Sequence, residues 1–188
     1  MSKHHDFPAY FLSTNTNTNT KPSVVFCVVG NEFSDGFVNN WTSFLFSIEV
    51  VKSKIYPHFV NYFENNIAEA RNKILCGNDF ENTYKNLFFS EWNYDYIFFI
   101  DPKLNHFDPN NLINAIIKMQ NFPGIDIMSH SNNSIDNLDL KFTIFRKKIF
   151  ENIAYPWFEE NKNIDKLFIQ KLIDMKLNVE IDKSITIY

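Results

Sequence analysis

Glycine is scarce in this chain: 4 residues in 188. Neither GxGxxG nor GxxxxGK[ST] occurs. Both motifs use glycine to bring backbone N–H groups up to a phosphate, so a dinucleotide-binding fingerprint and a P-loop are excluded. Cysteine is rarer still. Cys27 and Cys76 are the two present, without metal-ligand spacing. Cys27 lies within an apolar run, which predicts a reduced, buried thiol and favours a cytoplasmic setting. No apolar run reaches the roughly 18 residues that a bilayer span needs. The N-terminal stretch has no apolar signal-peptide core. Basic charge is not in excess either: 18 Lys and Arg face 22 Asp and Glu, for a net charge of −4. That balance argues against a nucleic-acid partner. The longest basic cluster, Arg146-Lys147-Lys148, reads as a solvated helix face.

What is abundant is apolar and aromatic. Hydrophobic residues make up 45% of the chain, 21 of them Phe. That is enough for one domain with a substantial core. Residues 1–21 end in the repeat Thr14-Asn15-Thr16-Asn17-Thr18-Asn19-Thr20, which cannot bury apolar surface and predicts a disordered polar tail. Residues 22–188 are expected to form the single domain. His4 and His5 lie in the tail and suggest no metal site.

The domain is organised around Tyr94-Asp95-Tyr96-Ile97-Phe98-Phe99-Ile100-Asp101-Pro102-Lys103. A short β-branched and aromatic run of this kind predicts a strand buried on both faces of a sheet. Pro102 stops the strand and leaves Asp101 at its carboxyl end. In open α/β sheets that end is where ligands bind, so Asp101 is a candidate working residue. Its alternative is a solvated carboxylate at a strand end.

Ser23 to Val29 predicts a first buried strand, followed by the loop Gly30-Asn31-Glu32-Phe33. Ser34 is placed to cap a helix whose Phe37, Trp41, Phe44, Leu45 and Ile48 recur at helical spacing. Ile55 to Tyr62 predicts a second strand. Ile67, Ala70, Ile74 and Leu75 form the apolar face of the next helix. Arg71 lies near that face, so its charge needs a partner, either a structural carboxylate or a bound phosphate. Residues 79–90 predict another helix. Asp108 and Pro109 give a cap and a first-turn proline, with Leu112, Ile113, Ile116 and Ile117 as core face. Ile125 to Ser129 predicts a strand ending at His130, then a polar loop over Asn132 to Asn137. A strand over Leu138 to Phe145, a short helix over Arg146 to Ile153 and the aromatic turn Tyr155-Pro156-Trp157-Phe158 follow. A helix carries Ile164, Leu167, Phe168, Leu172 and Met175. Val179 to Ile181 and Ser184 to Tyr188 predict two last strands. The alternation gives an α/β sandwich with a mostly parallel central sheet.

Four segments, in this order, resemble the nucleotide-sugar glycosyltransferases of the GT-A fold, especially the family-2-like ones. They are Val28-Val29-Gly30-Asn31-Glu32, Ala70-Arg71-Asn72, Tyr94 to Phe107 with Pro109, and Thr143 to Phe150 with Pro156-Trp157-Phe158. The likeness runs from about residue 23 to the end. Phe33-Ser34-Asp35-Gly36-Phe37 with Trp41 resembles such enzymes from large DNA viruses and algae. The resemblance implies a GT-A-like (Rossmann-like) α/β/α sandwich that moves a sugar from a nucleotide-diphosphate sugar to an acceptor hydroxyl on a glycan or protein. It implies roles too. Asn31 and Glu32 would hold base or ribose, and Arg71 would contact the diphosphate, unless it instead pairs with Asp101. Asp165 would be the general base, its alternative being a first-turn helix carboxylate favoured by the macrodipole. Trp157 and Phe158 would stack on an acceptor sugar or pack in the core.

The sequence departs from the family at its metal motif. Where the family has DxD, this chain has Asp101-Pro102-Lys103. A protonated lysine cannot ligate a hard cation. Mn²⁺ or Mg²⁺ on Asp101 is therefore doubtful, and Lys103 could itself neutralise the diphosphate. The family's acidic pair is reduced to Asn163-Ile164-Asp165, and its C-terminal histidine is missing. His106 and His130 read as surface or satisfied histidines rather than ligands. These departures leave a second reading open: a non-catalytic relative that binds or supports without turnover. A third is an unrelated α/β nucleotide-binding domain. For a viral protein the setting would be host cytoplasm or virion.

Overall fold

The computed structural model describes residues 21–63, 65–76, 94–130, 140–153, 155–160 and 164–182. The expected tail over residues 1–21, apart from Lys21, and the expected helix over 79–90, loop over 132–137 and strand over 184–188 lie outside the described residues.

The elements alternate as the patterning dictates. Strand β1 (Ser23–Gly30) leads through helices α1 (Asp35–Phe46) and α2 (Ile48–Lys54) to β2 (Tyr56–Phe63). Helix α3 (Ile67–Cys76) follows, and then β3 (Tyr96–Ile100), α4 (Pro109–Asn121) and β4 (Ile127–Ser129). Strand β5 (Phe142–Arg146), helices α5 (Lys147–Asn152) and α6 (Ile164–Asp174), and β6 (Val179–Ile181) complete the described order. The sheet runs β2-β1-β3-β5-β4-β6. β2, β1 and β3 are parallel, β5 is antiparallel to both β3 and β4, and β6 is parallel to β4. Every strand except β5 thus points the same way, a mostly parallel sheet with helices on both faces.

Strand alternation sorts the core into two layers. Val24, Phe26 and Val28 of β1 and Tyr96, Phe98 and Ile100 of β3 face α1, α2 and α4. Val25, Cys27 and Val29, with Ile97 and Phe99, face α3, α5 and α6. All five residues of β3 are buried, as a strand covered on both sides must be. Cys27 is a buried free thiol, and burial pushes its pKa up, so it packs as a small hydrophobe.

Local signals explain the helix ends. Ser34 Oγ accepts from Phe37 N at 2.9 Å, and Asp108 Oδ1 accepts from Asn110 N at 2.8 Å ahead of Pro109. The first apolar helix pattern divides at Ser47 into α1 and α2, whose Ser47 N–H bonds back to Ser43 and Phe44. Leu45 lies off the core face, 40% exposed. The strand expected over Ile125 to Ser129 is shorter, starting at Ile127; Asp126 still accepts from Arg146 N of β5 through its carbonyl, and its Oδ2 accepts from Asn178 N. The strand expected from Leu138 begins at Phe142. At the far edge Lys118 of α4 holds β6 through Glu180 and Asp182, at 3.2 and 3.0 Å.

Phe98 is fully buried between Phe26 and Phe142, with ring centroids 5.6 and 4.7 Å away. Phe98→Ala is expected to lower stability by about 3–5 kcal/mol, read by urea unfolding. A loss below about 1 kcal/mol would mean that this layer collapses around the cavity.

Candidate active site

The strand order reverses between β1 and β3: β1 leads outward to β2, whereas β3 leads the other way to β4. The carboxyl ends of these two strands form the switch point at which open α/β sheets bind ligands. The loop after β1 carries Asn31 and Glu32, both exposed, and the loop after β3 carries Asp101 and Lys103. Four of the six residues singled out from sequence therefore meet on one rim.

The two loops are locked together. A β-carbon on Gly30 would run into the Pro102 ring, and one on Gly36 into the Asn105 carbonyl. Glycine is required here for close approach of backbone to backbone. Ser34 N donates to Pro102 O at 2.9 Å, and Ser34 Oγ donates to Leu104 O at 2.5 Å while it caps α1. Asp101 is half-buried, and its Oδ1 accepts from Lys103 N at 2.8 Å, which fixes the carboxylate over the turn. Lys103 Nζ lies 3.3 Å from Glu32 Oε2, and both side chains are largely exposed. This ion pair costs little to open, so an anion entering the crevice can take Lys103 from Glu32.

Arg71 and Asp165 are paired with each other. Arg71 Nη1 donates to Asp165 Oδ1, and the guanidinium lies over the faces of Phe158 and Phe99, at 5.3 and 6.0 Å. The Arg71 side chain is 8% exposed and that of Asp165 34%. The carboxylate that meets Arg71 is Asp165 and not Asp101. Asn72 beside it makes two bonds with Phe158, to O at 2.6 Å and from N at 3.1 Å. Trp157 and Phe158 are buried, with Trp157 Nε1 donating to Phe150 O at 2.9 Å. They pack in the core and offer no ring face to a sugar.

Sequence reading missed what joins the two groups, the segment Leu140-Lys141 just before β5. Asp101 N donates to Lys141 O at 2.8 Å, and Leu140 N donates to Asp165 Oδ2 at 3.3 Å. Adjacent residues thus hold the main chain of Asp101 and the carboxylate of Asp165 through their backbone, and backbone contacts leave no signal in residue type. Asp165 has both oxygens engaged and a third of its side chain open to solvent.

The rim carries two carboxylates, Asp101 and Glu32, with the ammonium of Lys103 3.3 Å from Glu32, and among the described residues no group of three His, Cys, Asp or Glu could hold a metal. His106 and His130 each make contacts of their own within the fold. No helix among the described residues is long and apolar enough to cross a membrane.

No family model matches the chain, and no curated protein matches it. Among solved structures, the fold is similar to a glycosyltransferase involved in the glycosylation of the major capsid of PBCV-1. The identity is 8%, covering 84% of this chain and 80% of that chain, with a TM-score of 0.49. A likeness at that level says nothing about individual residues.

Two expectations test the site's construction. Gly36→Ala should destabilise by about 1–3 kcal/mol in urea unfolding, because the added methyl must displace the Asn105 backbone. Asp165→Ala should cost more than Arg71→Met, about 3 kcal/mol against roughly 1–2 kcal/mol, because it strands the more buried of the two charges. A larger loss in Arg71→Met than in Asp165→Ala would show that Asp165, not Arg71, bears the desolvation.

Proposed function

We propose that the crevice binds the diphosphate of a nucleotide sugar and that the protein transfers the sugar to an acceptor hydroxyl. The observation that carries this reading is the convergence of Asn31, Glu32, Asp101 and Lys103 at the switch point between β1 and β3. Their segments are the ones that resemble GT-A-fold glycosyltransferases of the family-2-like kind, a group with viral members.

In this reading Lys103 leaves Glu32 and stands as a point charge against the diphosphate, the part a metal ion otherwise plays. Glu32 and Asn31 are then free for ribose or base. Asp101, held by Lys103 N and Lys141 O, orients the donor. The acceptor oxygen attacks the anomeric carbon, the bond from that carbon to the diphosphate oxygen breaks, and the acceptor proton passes to Asp165. Arg71 and Leu140 N fix the plane of the Asp165 carboxylate. Arg71 acts on the reaction through Asp165 and not on the diphosphate.

One observation favours a second reading, a binding protein on the same fold. Both oxygens of Asp165 are already engaged.

Release of nucleoside diphosphate from nucleotide sugars, with and without EDTA, separates the two. Transfer predicts release that survives EDTA, falls about 10²-fold or more in Lys103→Ala, and is abolished in Asp165→Asn with nucleotide binding retained. Binding of nucleotide sugar without release from the wild-type protein supports the second reading. Release that requires Mn²⁺ contradicts the part given to Lys103.

A further inference from the structure

Among the described residues, the sheet ends beyond β1 in an unpaired strand edge. β2 is the terminal strand, and its hydrogen bonds to β1 begin with Tyr56 N donating to Pro22 O at 2.9 Å. In a parallel pair, alternate residues face the neighbour. Tyr56, His58, Val60 and Tyr62 therefore bond β1, while Pro57, Phe59, Asn61 and Phe63 turn their backbone outward. Among the described residues, nothing hydrogen-bonds the outward N–H groups of Phe59, Asn61 and Phe63.

Edges of this kind are normally blunted by charge, bulges or proline. The strand has no charged residue, and its one proline sits at the start, so Pro57 guards that end alone. The surface beside the edge is apolar. Phe59 stacks on Phe26 and meets Trp41 edge-on, which puts Phe59 and Phe63 on the α1 side of the sheet. Phe63 packs on Phe33 at 4.7 Å. Val38 and Leu45, one stripe of α1 next to Trp41, continue the patch. The exposed fractions are 52% for Phe33, 47% for Val38, 40% for Leu45, and 41% for both Phe59 and Phe63. A full aromatic side chain buries roughly 150–250 Å², so these fractions amount to several hundred Å² per copy. With the strand backbone added, this is roughly half the about 800 Å² per partner of a standard interface, the rest coming from the strand-to-strand hydrogen bonds and their surroundings.

We propose that the β2 edge and its α1 flank form the interface of a two-fold dimer of this chain. An uncharged strand with apolar residues at both ends is self-complementary, as an isologous contact requires. Antiparallel pairing centred on Asn61 sets Phe59 opposite the partner's Phe63. All three outward N–H groups then find carbonyls, and Pro57 lies outside the paired stretch. Phe59 and Phe63 come together on one face as a cross-strand aromatic pair. The two sheets join into one, and the crevice at the carboxyl ends of β1 and β3 stays open.

Analytical ultracentrifugation of the full chain over a concentration series tests this, together with amide hydrogen exchange. The wild-type protein is expected to dimerise, and the amides of Phe59, Asn61 and Phe63 to gain protection as concentration rises. Asn61→Pro removes an outward N–H and none of the bonds to β1, and Leu45→Lys places a charge in the patch. Each should weaken dimerisation at least about tenfold while circular dichroism is unchanged. A wild-type protein that stays monomeric overturns the proposal. A dimer indifferent to both substitutions does so too, as does protection of these amides that is independent of concentration.

Discussion

The close approach of the loops after β1 and β3 is the constraint on which the candidate site depends. Backbone meets backbone at Gly36 and Asn105, and backbone meets ring at Gly30 and Pro102. A chain with so little glycine places two of its 4 at this one seam. Ser34 closes it by serving both sides, as cap of α1 and as partner of Pro102 and Leu104. The result is a rim whose backbone is fixed before any ligand arrives, with its charges on exposed side chains. Such an arrangement lowers the ordering cost of binding.

A second constraint sets the other half. The guanidinium of Arg71 is buried between aromatic faces and a carboxylate, and that carboxylate belongs to α6. The same helix α3 secures the Trp157-Phe158 turn through Asn72. Burial of a charge is tolerated only when it is paired and hydrogen-bonded. The position of Asp165 is therefore tied to α3 as well as to Leu140. Through Lys141 the same short segment reaches Asp101. Donor rim and candidate base are two ends of one hydrogen-bonded path across the start of β5.

Much of the architecture was legible because it rests on residue type. Runs such as Tyr96 to Ile100 can only be doubly covered strands, and Ser34, Asp108 and Pro109 mark helix starts by local chemistry. The position of Asp101 followed from Pro102. What was not legible depends on backbone and on tertiary choice. Nothing in residue type says that Arg71 meets Asp165, 94 positions away, in place of Asp101. Nothing in it shows that the main chain of Lys141 holds the Asp101 N–H and that of Leu140 the Asp165 carboxylate. Trp157 and Phe158 could be read as a sugar platform or as core, and the buried packing against Phe150 and Phe168 makes them core. The resemblance of four segments brought Asn31, Glu32, Asp101 and Lys103 to attention, and the strand order brings them to one rim.

The central claim is that this rim is a nucleoside-diphosphate site that uses a lysine where a metal would otherwise stand. Its most direct test is a thermal-shift screen of UDP, GDP, CMP and their common sugars, each with Mn²⁺ and with EDTA. Binding to the native state raises the melting temperature by mass action. The account predicts an upward shift with one nucleoside diphosphate that persists in EDTA and disappears in Lys103→Ala. No shift with any nucleotide, or a shift that only Mn²⁺ permits, would contradict it.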